Sequence, residues 1–522
     1  MPFKPEAPSA VKILERSLLP CGVVAALAIG VVGIGRFLRL DEANSVLIAS
    51  GSLSRIIEYL RNDNNLPLYY ILLHGWIRLA GISEFAVHVP SVVFYLLAIG
   101  VTYRLGLEVS GDKLGGLYSG FFYLVSFQAI HHAQTARMYS LLGLVAGLST
   151  LLFMRVWFGA APEKRDWVLY VLVNAAGAFV HVWYFFLLFG EAVCGLVFHP
   201  RKLRTLAAGL GASVAPFLLL WARYLGHQAR IGAADWMPRA RREFIAGVFG
   251  EFYGGMKWGS FLLVVVVLIC VVGRSRDQIR QWLCRKELRA LATIAVISVL
   301  VPLLISFVRP IYWPGRYTMI ALPAFAATLG CTVAALASRN LRVGFAYVVL
   351  LSVIAFHVHT RKEVFENSVN VFIEAESDKP AATELCRLAR PGDTLLFTGL
   401  SRAGVEYYLR RLECGRGFVL TSFPGDTAEH MGWVRRSDPE SLSAEADGLA
   451  RRFSESQGDH KLWVILAYGR TDEKKILTET LGRYLTLTST PALRGSFFDG
   501  VMVFARKDLS GNSVTAVSQG LR

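Results

Sequence analysis

LLPCGVVAALAIGVVGIGRFLRLDE, residues 18–42, decides how this chain is read: an apolar run from Leu18 to Leu40, then two adjacent carboxylates, Asp41 and Glu42. No other acid lies between Glu15 and that pair. A run of about 20 apolar residues crosses the hydrocarbon core as a helix. Acids kept at the mouth of such a helix are costly unless they serve a purpose. Lys4, Lys12 and Arg16 precede the run as they would in a signal peptide, but Arg36, Phe37, Leu38 and Arg39 follow it in place of a small-residue cleavage site. The segment is therefore expected to remain as a first span.

The rest of the chain extends this pattern. With 522 residues, 54% of them hydrophobic, and a mean hydropathy of +0.44, it is too apolar for an ordinary soluble protein. Residues 1–360 hold 33 Lys and Arg against 17 Asp and Glu, whereas residues 361–522 hold 22 of each, so the whole excess of 16 positive charges sits in the apolar part. Such a balance reports membrane topology and anionic lipid; no nucleic-acid partner is expected. About eleven apolar runs are predicted to be transmembrane helices, near 18–38, 85–107, 114–131, 138–158, 167–181, 183–199, 203–222, 258–273, 290–308, 316–338 and 341–359. Basic connections at 104–113, 155–165, 201–204, 274–289 and 339–342 alternate along the chain and belong in the cytoplasm with the N-terminus. The opposite face then receives Asp41 and Glu42, the turns at 131–137, 181–184 and 309–316, the long loop 223–257, and everything after the last span.

Residues 43–48, 53–60 and 67–79 are too polar or too short to cross, and they are predicted to be helices lying at the interface, as is 239–253. Beyond residue 361 short apolar strands, at 394–398, 417–421, 462–467 and 500–505, alternate with amphipathic helices at 403–412, 443–454 and 473–484. The expected fold is an all-α polytopic membrane domain over 1–360, an extracytoplasmic α/β domain over 361–508 that lacks a phosphate-binding glycine loop, and a disordered polar tail over 509–522. None of the seven cysteines has metal-ligand spacing. Cys386 and Cys414 are the only two in the C-terminal region, so they pair in an oxidising compartment or remain two thiols.

Five short stretches carry a resemblance that covers most of residues 18–340 in order: Leu40-Asp41-Glu42; Asn65-Leu66-Pro67-Leu68-Tyr69-Tyr70; Ser83-Glu84-Phe85 leading into Val89-Pro90-Ser91; Gln134-Thr135-Ala136-Arg137-Met138-Tyr139-Ser140; and Gly315-Arg316-Tyr317. Together they resemble the GT-C superfamily of polyprenyl-phosphate-dependent membrane glycosyltransferases, near the bacterial members related to protein O-mannosyltransferases and to the lipid A aminoarabinose and galacturonic acid transferases. The C-terminal domain matches only in position and type. The resemblance implies an inverting transfer of a sugar from a polyprenyl-phosphate donor to a hydroxyl of an envelope glycolipid, polysaccharide or protein, in the bacterial cytoplasmic (inner) membrane with its active site on the extracytoplasmic side.

A lipid phosphate is a competent leaving group, so such a transfer needs a base for the acceptor proton and cations for the departing phosphate. Asp41 matches the family's catalytic aspartate, and Glu42 would orient the acceptor or bind a sugar hydroxyl. The competing reading is that the two acids only cap the following helix. Arg137 and Arg316 are the expected donor-phosphate groups, against a role as headgroup anchors. Relatives usually read Gln-Glu-Ala-Arg where this chain has Gln134-Thr135-Ala136-Arg137, so an acid is missing at Thr135. His131, His132, Tyr139, His181, Tyr184 and Lys257 are further candidates for substrate contact, Lys257 as one of the cations of loop 223–257. Adjacent histidines point apart on a helix and no ligand motif such as HExxH is present, so no metal or other cofactor is expected, with a divalent ion beside Asp41 as the minor alternative. A transporter or flippase of a lipid-linked sugar is the competing function, but no internal repeat is present and the polar residues gather at one surface.

Overall fold

The computed structural model describes residues 10–31, 34–63, 65–230, 239–272, 274–312, 315–366, 377–425, 438–468, 471–495 and 498–507. The tail expected to be disordered, 509–522, lies outside the described residues. The chain forms two compact units, Met1–Ser368 and Val369–Arg522.

The first unit is helical. Among the described residues six helices are long and apolar enough to cross a membrane, Ala10–Val31, Glu84–Ser110, Tyr139–Phe158, Pro200–Leu220, Lys286–Ile305 and Arg339–His357. A bent pair, Lys257–Val271 with Arg276–Leu283, makes a seventh if it is one span. Every one of the eleven predicted runs carries a helix, but several are cut short. The run at 114–131 breaks after Leu124, where Ser126 caps a new helix by accepting from Ala129 N at 3.3 Å. Phe179–Trp183 separates the 15-residue helices Lys164–Ala178 and Tyr184–Phe198, and a 3₁₀ turn at Tyr317–Ile320 shortens its run to Leu322–Leu336. Hydropathy separates the runs at 181–183 but does not register the breaks at Val125–Ser126 and Tyr317–Ile320, where the turn residues hardly lower it.

Small residues allow these helices to approach closely. A Cβ on Gly330 would stand 2.2 Å from the backbone nitrogen of Ser119, and one on Gly106 would meet the Ser119 side chain. The ends of the unit are joined by charge: Glu15 on the first helix pairs with Arg342 at 2.7 Å and Arg339 at 3.3 Å on the last. Inside, Glu191 accepts from Ser149 Oγ at 2.7 Å and Tyr170 OH at 2.8 Å, joining three helices without a cation among the described residues. Between the first two spans lie the helices Leu40–Ala49, Leu53–Arg61 and Pro67–Ala80, close to the three short helices predicted there. The predicted 239–253 helix is reduced to Glu243–Gly247 and a 3₁₀ turn at Gly250–Tyr253.

The second unit is an α/β sandwich around five strands, β1 Thr394–Thr398, β2 Val419–Phe423, β3 Leu462–Ala467, β4 Leu485–Ser489 and β5 Phe498–Arg506, in the order β2-β1-β3-β5-β4. β1 runs parallel to β2 and β3, and β5 runs antiparallel to β3 and β4. β4 and the helix Lys379–Leu388 are absent from the sequence expectation. β4 begins directly after the Thr471–Tyr484 helix with no turn residue, and four of its five side chains are exposed, so no apolar alternation marks it. Cys386 and Cys414 are bonded, with Cα atoms 5.8 Å apart and a sequence separation of 28. Closing a loop of that length stabilises by about 3 kcal/mol in the chain-entropy account. Replacing both cysteines by serine is therefore expected to speed hydrogen exchange at the β1 and β3 amides of the full chain while the helical unit exchanges as before.

Candidate active site

Asp41 and Glu42 occupy the first turn of the Leu40–Ala49 helix, where the helix dipole favours negative charge. Successive residues on a helix point about 100° apart, and the two acids meet different surroundings. The Glu42 side chain is 1% exposed and accepts from Arg36 NH1 at 2.9 Å, Arg36 NH2 at 3.0 Å, Arg39 N at 3.0 Å, Ala136 N at 2.8 Å and His88 Nε2 at 2.9 Å. Burial alone would raise its pKa, but Arg36, His88 and the Arg39 amide outweigh burial and hold the carboxyl well below the usual carboxylate range. Glu42 is thus the knot that ties residues 36–39, the Glu84–Ser110 helix and the turn at Ala136 together. Its carboxylate is enclosed by these donors and nearly inaccessible.

Asp41 faces outward. Its side chain is 45% exposed and its Oδ2 lies 3.3 Å from Arg316 NH1. The backbone carbonyl of Asp41 accepts from Ser45 Oγ at 2.8 Å and from Arg137 NH1 at 3.3 Å. The Leu40–Ala49 helix therefore brings an accessible carboxylate and the two predicted arginines to one place.

Arg137 is buried, 8% exposed. Its NH1 also donates to Ser45 Oγ at 3.0 Å and Tyr70 OH at 3.3 Å, and its NH2 donates to Asn65 Oδ1 at 3.3 Å. These partners are neutral oxygens, and Nε has no partner among the described residues. A guanidinium does not deprotonate in proteins, so the site holds a desolvated cation with donor capacity to spare.

Arg316 rides on a turn held from two sides. Glu251 Oε2 accepts from Tyr312 OH at 2.6 Å and from Gly315 N at 3.2 Å, and His132 Nε2 donates to Gly315 O at 2.8 Å. Gly315 has φ +72°, a left-handed conformation that suits glycine. Burial, followed by the neighbouring His131, pushes His132 well below the ordinary histidine value. It is then a neutral ring that donates through Nε2. Its ring lies 4.5 Å from Tyr139, which with His181 and Tyr317 forms an aromatic wall: His181 is 5.0 Å from Tyr317 and 6.1 Å from Tyr139.

The other predicted residues are spread more widely. His131 is exposed beside His132, with 5.2 Å between ring centroids. Tyr184 is fully buried and its hydroxyl donates to Asn174 Oδ1 at 2.7 Å, a contact within the helix bundle. Lys257 is exposed in the first turn of the Met256–Val271 helix. Thr135, where an acid is missing, donates its hydroxyl to His131 O at 2.8 Å. Among the described residues no group of three or more His, Cys, Asp or Glu is arranged to hold a metal ion. Sequence reading misses Arg36, His88, Ser45 and Glu251. In the sequence Arg36 is only a flank of the first span, and nothing local connects Glu251 to a glycine 64 residues later.

No family model and no curated protein sequence matches the chain. Solved structures do. The apo crystal structure of ArnT from Cupriavidus metallidurans superimposes with a TM-score of 0.61 at 14% identity, covering 95% of this chain and 99% of that one. The same protein bound to undecaprenyl phosphate gives a TM-score of 0.59 at 14% identity over the same shares. The chain has the GT-C fold. The match runs over nearly the full length of both proteins, so the GT-C likeness takes in the sheet-containing second unit as well as the helical one. Within this GT-C fold the Leu40–Ala49 helix carries Asp41, and the turns at Arg137 and Arg316 converge on it.

Proposed function

We propose that this chain is an inverting glycosyltransferase that moves a sugar from a polyprenyl-phosphate donor to a hydroxyl of an envelope glycolipid, polysaccharide or protein. It works at the extracytoplasmic face of a bacterial cytoplasmic membrane, the side that the alternating basic loops assign to this cluster. The observation that carries the reading is Arg137, a buried guanidinium satisfied only by neutral oxygens, with its Nε unused, at the back of a site whose front is the Asp41–Arg316 pair. A desolvated cation of this kind is a strong hydrogen-bond donor to a phosphate oxygen. ArnT, which shares the fold, has been crystallised with undecaprenyl phosphate.

The chemistry follows from the residues. Asp41 takes the proton of the acceptor hydroxyl as its oxygen attacks the anomeric carbon from the side opposite the phosphate. The bond from that carbon to the phosphate oxygen breaks, and its electron pair leaves with the phosphate, which Arg137 and Arg316 hold. The Asp41–Arg316 pair is more than a third exposed on both sides, and an exposed pair contributes about 0–1 kcal/mol. Arg316 can therefore exchange Asp41 for a phosphate oxygen at little cost and leave the carboxylate free as the base.

Two binding measurements test the phosphate assignment. Arg137→Ala and Arg316→Ala are expected to weaken undecaprenyl-phosphate binding by about tenfold or more, since tenfold corresponds to about 1.4 kcal/mol and a charge-assisted contact contributes at least that. Arg155→Ala, which removes a partly exposed cation paired with Glu108, should leave binding unchanged. Equal affinity in wild type and both site variants would remove the basis for the phosphate role.

A further inference from the structure

Asp63 is a buried acid, 1% exposed. Its Oδ1 accepts from Asn65 N at 3.3 Å and from Asn65 Nδ2 at 3.1 Å, and its Oδ2 has no partner among the described residues. The segment is held in place by a later helix, as Gln228 Nε2 donates to Leu60 O at 3.0 Å and also to Asp63 O. Within the same site lies Arg137, a buried cation whose described partners are all neutral. An acid and a cation, both buried and neither in direct contact with an opposite charge, are joined by one side chain, Asn65.

The direction of that link is fixed by chemistry. A carboxylate only accepts hydrogen bonds, so the amide end of Asn65 facing Asp63 is its NH₂. The carbonyl end is thereby turned to Arg137 NH2, where it accepts at 3.3 Å. A carboxylate touching the guanidinium would satisfy it bidentately and compete with any incoming anion. A carboxylate one amide away supplies a counter-charge through a short, poorly screened path and leaves the guanidinium's remaining donor positions open.

We propose that Asp63 is the positioning residue and counter-charge of Arg137, acting through Asn65. The role is positioning because Asp63 does not itself reach Arg137. The proposal rests on the reading of Arg137 as a phosphate-holding group, and it adds that the spacing between acid and cation is what keeps that group available to a lipid phosphate.

The test exchanges the two side chains. In D63N/N65D the net charge, the side-chain volumes and the hydrogen-bonded chain are preserved, since the amide now at position 63 can donate to the carboxylate now at position 65, and that carboxylate can accept from Arg137. The negative charge, however, then sits on the guanidinium. Binding of undecaprenyl phosphate to the purified full-length protein is expected to weaken by about tenfold or more, with a melting temperature no lower than that of wild type. A purely structural role for Asp63 would not separate binding from stability in this way. D63A removes the acceptor that aims Asn65 and should also weaken binding; the exchange variant covers the case in which D63A fails to fold. A folded exchange variant that binds as tightly as wild type would overturn the proposal, because only the number of charges and not their placement would matter. If wild type binds undecaprenyl phosphate while D63A, still folded, binds equally well, the role of Asp63 falls alone. If wild type shows no affinity for undecaprenyl phosphate, the phosphate reading of Arg137 falls and takes this proposal with it.

Discussion

Asp41→Asn is expected to lower turnover by about 10²–10⁴-fold, the range supplied by a positioned general base, while undecaprenyl-phosphate affinity stays within about twofold and the fold is unchanged. The reason is geometric. Asp41 is the accessible member of the acidic pair, 45% exposed, and its described side-chain contact is with Arg316 at 3.3 Å. Asparagine keeps the shape and can still accept from Arg316 through its carbonyl, but it cannot carry away a proton. The lost ion pair is exposed, so stability should change by no more than about 1 kcal/mol. Steady-state transfer by purified protein, set beside binding of the unreactive lipid phosphate, separates the two effects. Undiminished turnover in the variant would end the assignment of Asp41 as the base.

Glu42→Gln should behave in the opposite way, as a variant of stability first. The Glu42 carboxylate receives five donors from four residues in a nearly inaccessible position. A glutamine there turns an NH₂ toward Arg36 or His88 and removes the charge that both of them face. Breaking a buried pair by removing one partner costs about 3–5 kcal/mol. The thermal midpoint in detergent is expected to fall substantially. Whatever activity survives at low temperature should retain wild-type affinity for the acceptor.

The pH dependence of that difference has a definite sign. The folded-state pKa of Glu42 lies below the ordinary 4.5. Its contribution is therefore fully present above that ordinary value and is lost as the pH falls toward the depressed one. The stability gap between wild type and Glu42→Gln should be flat from about pH 5 to pH 8 and should narrow only in stronger acid. A gap that opened or closed near neutrality would point to a histidine instead.

These two variants mark where sequence reading succeeds and where it stops. Charge alternation across the loops brings Asp41, Arg137 and Arg316 to one face, and the coordinates place all three in contact through the start of one helix. Which of two adjacent acids stays exposed is not visible in the string Asp41-Glu42, because it depends on His88 and Ala136, 46 and 94 residues away from Glu42. The span count is less legible: among the described residues six helices, or seven with the bent pair, are long and apolar enough to cross a membrane. Apolar composition persists through Val125 and Ser126, so hydropathy sees one segment at 114–131 where backbone hydrogen bonding ends one helix and starts another. In the second unit the central strands β1 and β3 are legible from their β-branched and aromatic runs, while β4 is polar, exposed and continuous with a helix, and leaves no such mark.

The clamp between the first and last helices of the membrane unit bears on biogenesis. Glu15 is made early in synthesis, and the arginine that binds it most closely, Arg342, emerges 327 residues later. Until then the carboxylate of Glu15, buried in the finished bundle, has no native cation, and an unpaired buried charge is costly. The first helix thus gains its native ion pairs only once the Arg339–Glu366 helix has been made.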